Sequence, residues 1–571
     1  MVAAAVRAMF AGKRVPLAVS VRDRLGAWLA DDLFAAAFSA RGRPGLPPAV
    51  LALVTVLQMT EDMTDREAAE AVRTRLDWKY ALGLALEDPG FDFSVLSEFR
   101  DRVTAHGLEE AALDALLGKL AADGLVRPGG KQRTDSTHVI AAARRLRTVE
   151  LAGESVRAAL EALAAACPDW LAARFCVADW SARYGARVDS WRLPAGKAAR
   201  DKLALEFARD GHALVTACYE DAAPAWARDL PAVQVLRTVL LQNFAVTQGQ
   251  DGREVIGRRE PGLESGVPPA SIKVSSPYDP GARWGSKKDL LWLGYKLHVT
   301  ETCDDPPACG CPPDPAARPG RCPHDTLPSL ITCVAVTDAT VHDSEMTVPV
   351  TAALHRKGLA PARHYLDSGY ASPGHMAAAA RLGVTLVTPL LASSSRQARE
   401  NAGYDRAAFA VDYDARTATC PQGNASRTWS ETVIRGRPAV IVQFAAATCR
   451  PCPARARCTT ARPGSAGRGL TLPPRELHDL QAAARTAQGT SAWQQDYKRR
   501  AGIEATISQA VTVTGARRAR YRGLAKTRLQ HAYAAIALNL TRLDAYWNDT
   551  PIDRTRTTHL TRLSYSHRHA A

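Results

Sequence analysis

The chain has 571 residues, of which 46% are hydrophobic and 23% charged, a globular mix that excludes collagen-like, coiled-coil and wholly disordered chains. At roughly 150 residues per domain, three to four domains or one large domain with insertions are expected. Lysine and arginine number 73 against 58 acids, a net charge of +15, which favours a polyanionic partner. No stretch approaches the ~18 uninterrupted apolar residues of a membrane span, and Met1–Gly12 has neither the basic start nor the cleavage site of a secretory signal, so a cytoplasmic location is expected.

Residues 15–120 read as helices. Pro47 and Pro48 open one that runs through Leu57, Thr64 or Asp65 caps another to about Arg75, and Ser94 caps a third from Val95 to Ala105. Short helices with basic residues on the last suit a DNA-binding module. After Gly129 and Gly130 the pattern turns strand-like from Lys131 to Ile140, with Asp135 inside it. Residues 148–245 return to helical periodicity, and 246–285 read as loop. Tyr295–Thr300 and Leu330–Val336 alternate as strands, Met346–Lys357 is helical, Ala362–Leu366 extended, Gly374–Leu382 helical and Val384–Pro389 extended. Strand, helical insert, two strands, helix, strand, helix, strand describes an α/β domain with a mixed sheet. Residues 405–462 have β-type alternation and read as an insertion. A long helix is expected from Trp493, then a basic loop, then an amphipathic helix over Leu529–Leu543.

Twelve cysteines without a secretory signal point to metal ligands or buried thiols before disulfides. Cys449, Cys452 and Cys458 form C-x2-C-x5-C, preceded by Cys420; four thiols with one tight pair suit a tetrahedral structural zinc. Cys303, Cys309, Cys311, Cys322 and His324 crowd a Pro-rich loop that could hold another ion.

Three carboxylates stand out by setting. Asp135 lies in a strand that should be central, where an acid is costly unless paired or metal-bound. Asp367, in Tyr-Leu-Asp-Ser-Gly-Tyr, ends a strand, where α/β sheets build sites, and Gly369 permits a tight turn. Glu504 shares a helical face with Tyr497 and Arg500. Two or three carboxylates brought together can hold hard divalent cations for in-line phosphoryl displacement. Asp338 and Asp343 rival Asp367 for the second place. His138, His298 and His342 read as structural histidines. Arg283, Lys287, Lys288 and Lys296, interleaved with Trp284, Trp292 and Tyr295, suit a DNA channel. Residues 497–571 carry 14 basic side chains against four acids, read as a folded face that meets phosphates.

The chain resembles bacterial insertion-sequence transposases of the DDE type, the group with a Tyr-x2-Arg-x3-Glu-x6-Lys signature. The resemblance rests on Trp78-Lys-Tyr-Ala-Leu-Gly-Leu with Phe91–Arg100 for the N-terminal helical domain, and on Asp135–His138, Asp367–Tyr370 and Tyr497-x2-Arg500-x3-Glu504 for the catalytic blocks. It implies an RNase H-like mixed sheet flanked by helices, with Asp135, Asp367 and Glu504 as catalytic residues binding two Mg²⁺, Mn²⁺ being able to substitute. The layout it implies is a helical DNA-binding domain at 1–125, the first core strand at 126–146, a helical insert and loop at 147–285, core strands at 286–400, a β-rich Cys insert at 401–470, and the glutamate helix and basic region at 471–571.

By the same resemblance, the chain cuts and joins double-stranded DNA, transposon ends and target, as a homodimer or higher oligomer associated with the nucleoid. Tyr497, Arg500, Lys498, Arg517, Arg518, Arg520, Lys287, Lys288 and Lys296 are the expected DNA contacts. The signature's lysine position is Val511 here. Alternatives are an RNase H-like nuclease that does not join strands and a DNA-binding regulator whose catalysis has lapsed.

Overall fold

The computed structural model describes residues 1–38, 45–188, 193–249, 253–259, 266, 268–269, 271–287, 289–305, 327–391, 395–400, 403–459 and 467–548. Its centre is a six-stranded mixed sheet: β1 (Lys131–Ile140), β2 (Arg283–Lys287), β3 (Leu290–Thr302), β4 (Ile331–Asp338), β5 (Arg363–Tyr365) and β6 (Thr385–Val387). The long β3 pairs antiparallel with β1, β2 and β4, while β1 is parallel to β5 and β5 to β6. The sequence reading of β1 holds to the residue. Helix Pro373–Ala380 makes the crossover that the parallel neighbours β5 and β6 require, and helix Thr347–Arg356 joins β4 to β5.

Alternation along β1 sorts its side chains onto two faces. Gln132 and Thr134 point into the buried layer, where Gln132 donates to Leu359 O (2.8 Å) and Thr134 Oγ1 lies 2.6 Å from His364 Nε2. Arg133, Asp135 and Thr137 meet the segment that carries Glu504, contacting Arg499 O, Arg500 and Arg517.

The N-terminal helices pack on this sheet. Pro48–Glu61 starts at the expected proline, and Thr64 caps Asp65–Thr74 through a capping box with Glu67. Ser94 is the first residue of its helix rather than its side-chain cap; Asp92 Oδ1 takes the Ser94 N–H instead. Leu57, Phe99, Leu116, Leu297, Val334, Ile536 and Leu540 belong to one apolar core. The helices before residue 125 therefore share a core with the sheet and with the C-terminal helix Leu524–Trp547. That helix, expected to be amphipathic, is buried almost throughout, because helices cover the side that faces away from the sheet.

The insert after β1 is helical, with its own core around Val156, Phe207, Leu214 and Leu236. The segment expected to be loop after it contains most of an antiparallel hairpin, Phe244–Gln248 with Glu254–Arg258, whose short strands are largely exposed beyond Phe244 and so show no sustained inside–outside alternation. The cysteine segment is β-rich, as expected: Ala410–Asp412 pairs with Thr417–Thr419, and Thr428–Ile434, Arg437–Gln443 and Gly469–Leu472 form a second sheet. The single long helix expected from Trp493 is instead Ser491–Tyr497, a 3₁₀ stretch Lys498–Ala501, and Gly502–Thr514.

Candidate active site

Register brings the two aspartates together. Arg133 lies opposite Tyr365 in the parallel β1–β5 pair, so two residues further on Asp135 and Asp367 are neighbours on one face. Asp367 stands just past the end of β5, its Oδ1 accepting the Gly369 N–H at 2.8 Å. Gly369 is needed for room rather than for backbone freedom. A Cβ there would lie 3.0 Å from Asp367 Oδ1 and 3.8 Å from Asp343 Oδ2.

The third acid arrives on the helix above. Gly502 lets it sit close, since a Cβ at 502 would overlap the guanidinium of Arg133, which passes beneath to donate to Arg499 O at 2.8 Å. Buried Glu301 fixes the height of this helix by accepting from Arg133 Nε (2.7 Å), Arg542 Nη1 (2.8 Å) and Thr506 Oγ1 (2.5 Å).

One cation joins the three expected catalytic acids. Arg500 Nη2 is 2.6 Å from Asp135 Oδ2 and 3.9 Å from Asp367 Oδ2, and Nη1 is 2.9 Å from Glu504 Oε1. Asp135 is 7% exposed. Burial pushes its carboxyl above the usual range, Arg500 pulls it back, and the nearby Asp367 pushes it up again. A buried acid beside another acid calls for positive charge, and the guanidinium supplies it. The donor set, three carboxylates facing one cation, fits hard divalent ions, although among the described residues no group of three or more His, Cys, Asp or Glu is poised to hold a metal as it stands.

Asp343, one of the two rivals to Asp367, is at the site as well. It is bonded to Ser136 Oγ at 3.1 Å and paired with Lys296 Nζ at 3.0 Å. Lys296 and its neighbours hold its carboxyl below the ordinary value against the opposing effect of burial. Ser136 and the His298–Tyr370 pair, joined at 2.7 Å, complete this flank and were not expected to be functional; Ser136 and Tyr370 had only adjacency to the aspartate blocks as a signal, and His298 had none. Asp338 caps its own turn through Thr340. His138 packs against Trp292, and His342 caps a short helix.

The expected DNA contacts divide. Tyr497 stacks on Trp493 with centroids 4.9 Å apart and donates to Leu366 O at 3.2 Å. Lys287 is close enough to act on Asp135 and His138, and Arg517 reaches Thr137 Oγ1 at 3.1 Å. Lys498 is exposed at the same end, bonded to Gln495. The Arg518 carbonyl accepts from Gln530 Nε2 at 3.0 Å. Arg520 turns the other way, to Asp62 and the Met63 carbonyl, so that side chain ties the basic loop to the N-terminal helices. Lys288 lies outside the described residues, as do Cys309, Cys311, Cys322, His324 and everything after Asn548. The basic C-terminal run is partly spent internally, with Lys526 on Asp101 and Arg542 on Glu301. Val511, in the signature's lysine position, packs against the core.

Two family matches agree with this geometry. Residues 11–102 match a transposase domain (DUF772), and residues 419–544, which include Glu504, match a transposase DDE domain. Both matched segments are transposase domains, and together they indicate an insertion-sequence DDE transposase. No curated protein and no solved structure matches this chain. Among its described residues no helix is long and apolar enough to cross a membrane.

Proposed function

We propose that this transposase has an RNase H-like catalytic core, binds the terminal inverted repeats of its own element, and cleaves and transfers strands at Asp135, Asp367 and Glu504. The observation that carries the reading is the single guanidinium of Arg500 held by all three acids. Four antiparallel strands, β1–β4, followed by two parallel ones, with an acid in β1, another just past β5 and a third on a following helix, support the same reading. The carboxylates would hold Mg²⁺, two ions with Mn²⁺ able to substitute, which supply charge neutralisation and water activation for in-line displacement.

Every other part belongs to the chain. Arg500, relieved of neutralising the acids, is placed to meet a phosphate oxygen in the fork geometry that suits it. Lys287, Lys498, Arg517 and Arg518 supply sequence-independent affinity around the acids, and the N-terminal helices supply end recognition. Lys296 and Ser136 hold Asp343 beside the acids, while the Gly369 N–H orients Asp367. With Val511 in the core, Arg517 is the basic side chain beyond Glu504 that contacts β1 next to Asp135. Cleavage and joining are the same displacement with different nucleophiles, so an assembly pairing two ends needs no second chemistry.

The test is incubation of the full chain with labelled double-stranded DNA bearing the element's ends and a target plasmid, with Mg²⁺ or EDTA, beside Glu504→Gln. Metal-dependent nicking and joined products, both absent in the variant, are expected. Cutting without joining would indicate a nuclease, and end binding without any product a lapsed enzyme.

A further inference from the structure

The β-rich insert has little to hold it together. Its core is Phe409, Ala418, Val440, Val442, Phe444, Leu470 and Leu472, too small a set to stabilise two separate hairpin systems without a staple. Its four cysteines all face one place. Cys420, Cys449, Cys452 and Cys458 line a single cavity of about 30 Å³ with Tyr404, Phe409 and Phe444.

The backbone around them is arranged for thiolates. Cys420 closes a tight loop in which its N–H donates to Asn424 O (2.9 Å) and its carbonyl accepts from Gly423 N (2.8 Å); Gly423 has φ +80° there, a conformation glycine adopts without strain. Cys449 ends one helical turn and Cys458 another. Two N–H groups point at sulfur, Arg468 N at 3.5 Å from Cys449 Sγ and Asn424 Nδ2 at 3.7 Å from Cys420 Sγ. All four are free thiols. They surround the cavity without being drawn onto one point.

We propose that these four thiolates bind one structural zinc ion, which draws the sulfurs onto a common centre and clamps the loops of both hairpin systems together. Four soft donors select zinc or an iron–sulfur cluster among biological metals, and a cavity of this size takes a single ion. A closed set of four sulfurs leaves no position for water, so the ion is structural. Zinc binding displaces a proton from each thiol that enters as thiolate and changes no oxidation state. The site is independent of the chemistry at Glu504.

The full chain, purified without chelators, is assayed for metal by mass spectrometry, titrated with an organomercurial while zinc release is followed, and reconstituted with Co²⁺. About one zinc per chain, released as thiols react, and an intense sulfur-to-cobalt absorption band are expected. Cys452→Ser and Cys458→Ser should lose the metal, while Glu504→Gln and Cys218→Ser keep it. Zinc retained by the Cys452→Ser/Cys458→Ser double variant would overturn the proposal. So would iron in place of zinc, a Cys449–Cys452 disulfide found by thiol counting, or a wild-type chain that takes up neither zinc nor cobalt. The wild-type titration and cobalt spectrum decide the matter even if a serine variant fails to fold.

Discussion

Arg500 does two jobs that pull apart. Without metal it neutralises Asp135, a carboxylate whose side chain is only 10% exposed, and breaking such a pair leaves a buried charge uncompensated, at a cost of ~3 kcal/mol. Arg500→Met should therefore lower the thermal midpoint in EDTA by several degrees. Mg²⁺ or Mn²⁺ should restore more of the loss than it adds to the wild type, because the ion takes over the same charges. The Asp135→Asn/Arg500→Met double variant should lose much less than the sum of the two single changes. Equal and additive losses, insensitive to metal, would mean the guanidinium is not neutralising Asp135. The strand, turn and helix that carry Asp135, Asp367 and Glu504 were legible in the sequence. The bridging role of Arg500 and the entry of Asp343 were not, since both depend on strand register and on loop closure over hundreds of residues.

At the scale of elements, the position of Glu504 depends on Glu301. This acid is fully buried and joins β3 to the glutamate helix through Thr506, and to the C-terminal helix through Arg542. Glu301→Gln keeps the shape but leaves two arginines short of a counter-charge, so destabilisation of ~3 kcal/mol is expected, with cleavage falling further than DNA affinity because Glu504 is misplaced. Chemical denaturation and end-binding assays read the two effects separately; unchanged stability would remove Glu301 from this role. The C-terminal helix carries a pH liability of its own. Burial lowers His531 from 6.5 to about 4, and its Nε2 has no partner. The folded chain holds this ring neutral, so its stabilising contribution is complete above pH 6.5 and is lost as pH falls toward 4. At about 1.4 kcal/mol per pH unit the loss reaches ~3 kcal/mol. His531→Phe should flatten the stability profile between those values, and a profile unchanged by the substitution would locate the acid sensitivity elsewhere. Alternation and proline signals revealed most strands and helices, but not the hairpin Phe244–Gln248 with Glu254–Arg258, whose five-residue strands are too short and too exposed to carry a sustained period, nor the 3₁₀ stretch before Gly502, where Arg133 contacts the Arg499 carbonyl.

At the scale of the molecule, the expected boundary after residue 125 divides the recognition helices from the catalytic sheet, yet the apolar core crosses it. Leu57, Phe99 and Leu116 pack with Ile536 and Leu540, and Arg520 and Lys526 reach back to Asp62 and Asp101. Composition could not show this, because an apolar helical face looks the same whether it covers its neighbours or a distant helix. The helical insert differs, since Val156, Phe207, Leu214 and Leu236 form a core of their own. The two cases predict opposite results from cutting. A chain starting at residue 126 should expose the C-terminal helix, aggregate and show no cooperative transition. Removal of 148–258 with a short Gly-Ser bridge should leave a chain that still melts cooperatively, because it takes away the core around Val156 and Phe207 whole instead of opening another. Calorimetry of the three proteins distinguishes these outcomes. A soluble, cooperatively folding 126–571 fragment would show that the N-terminal helices are a removable domain after all, and that the shared core contributes far less than its buried leucines and phenylalanines imply.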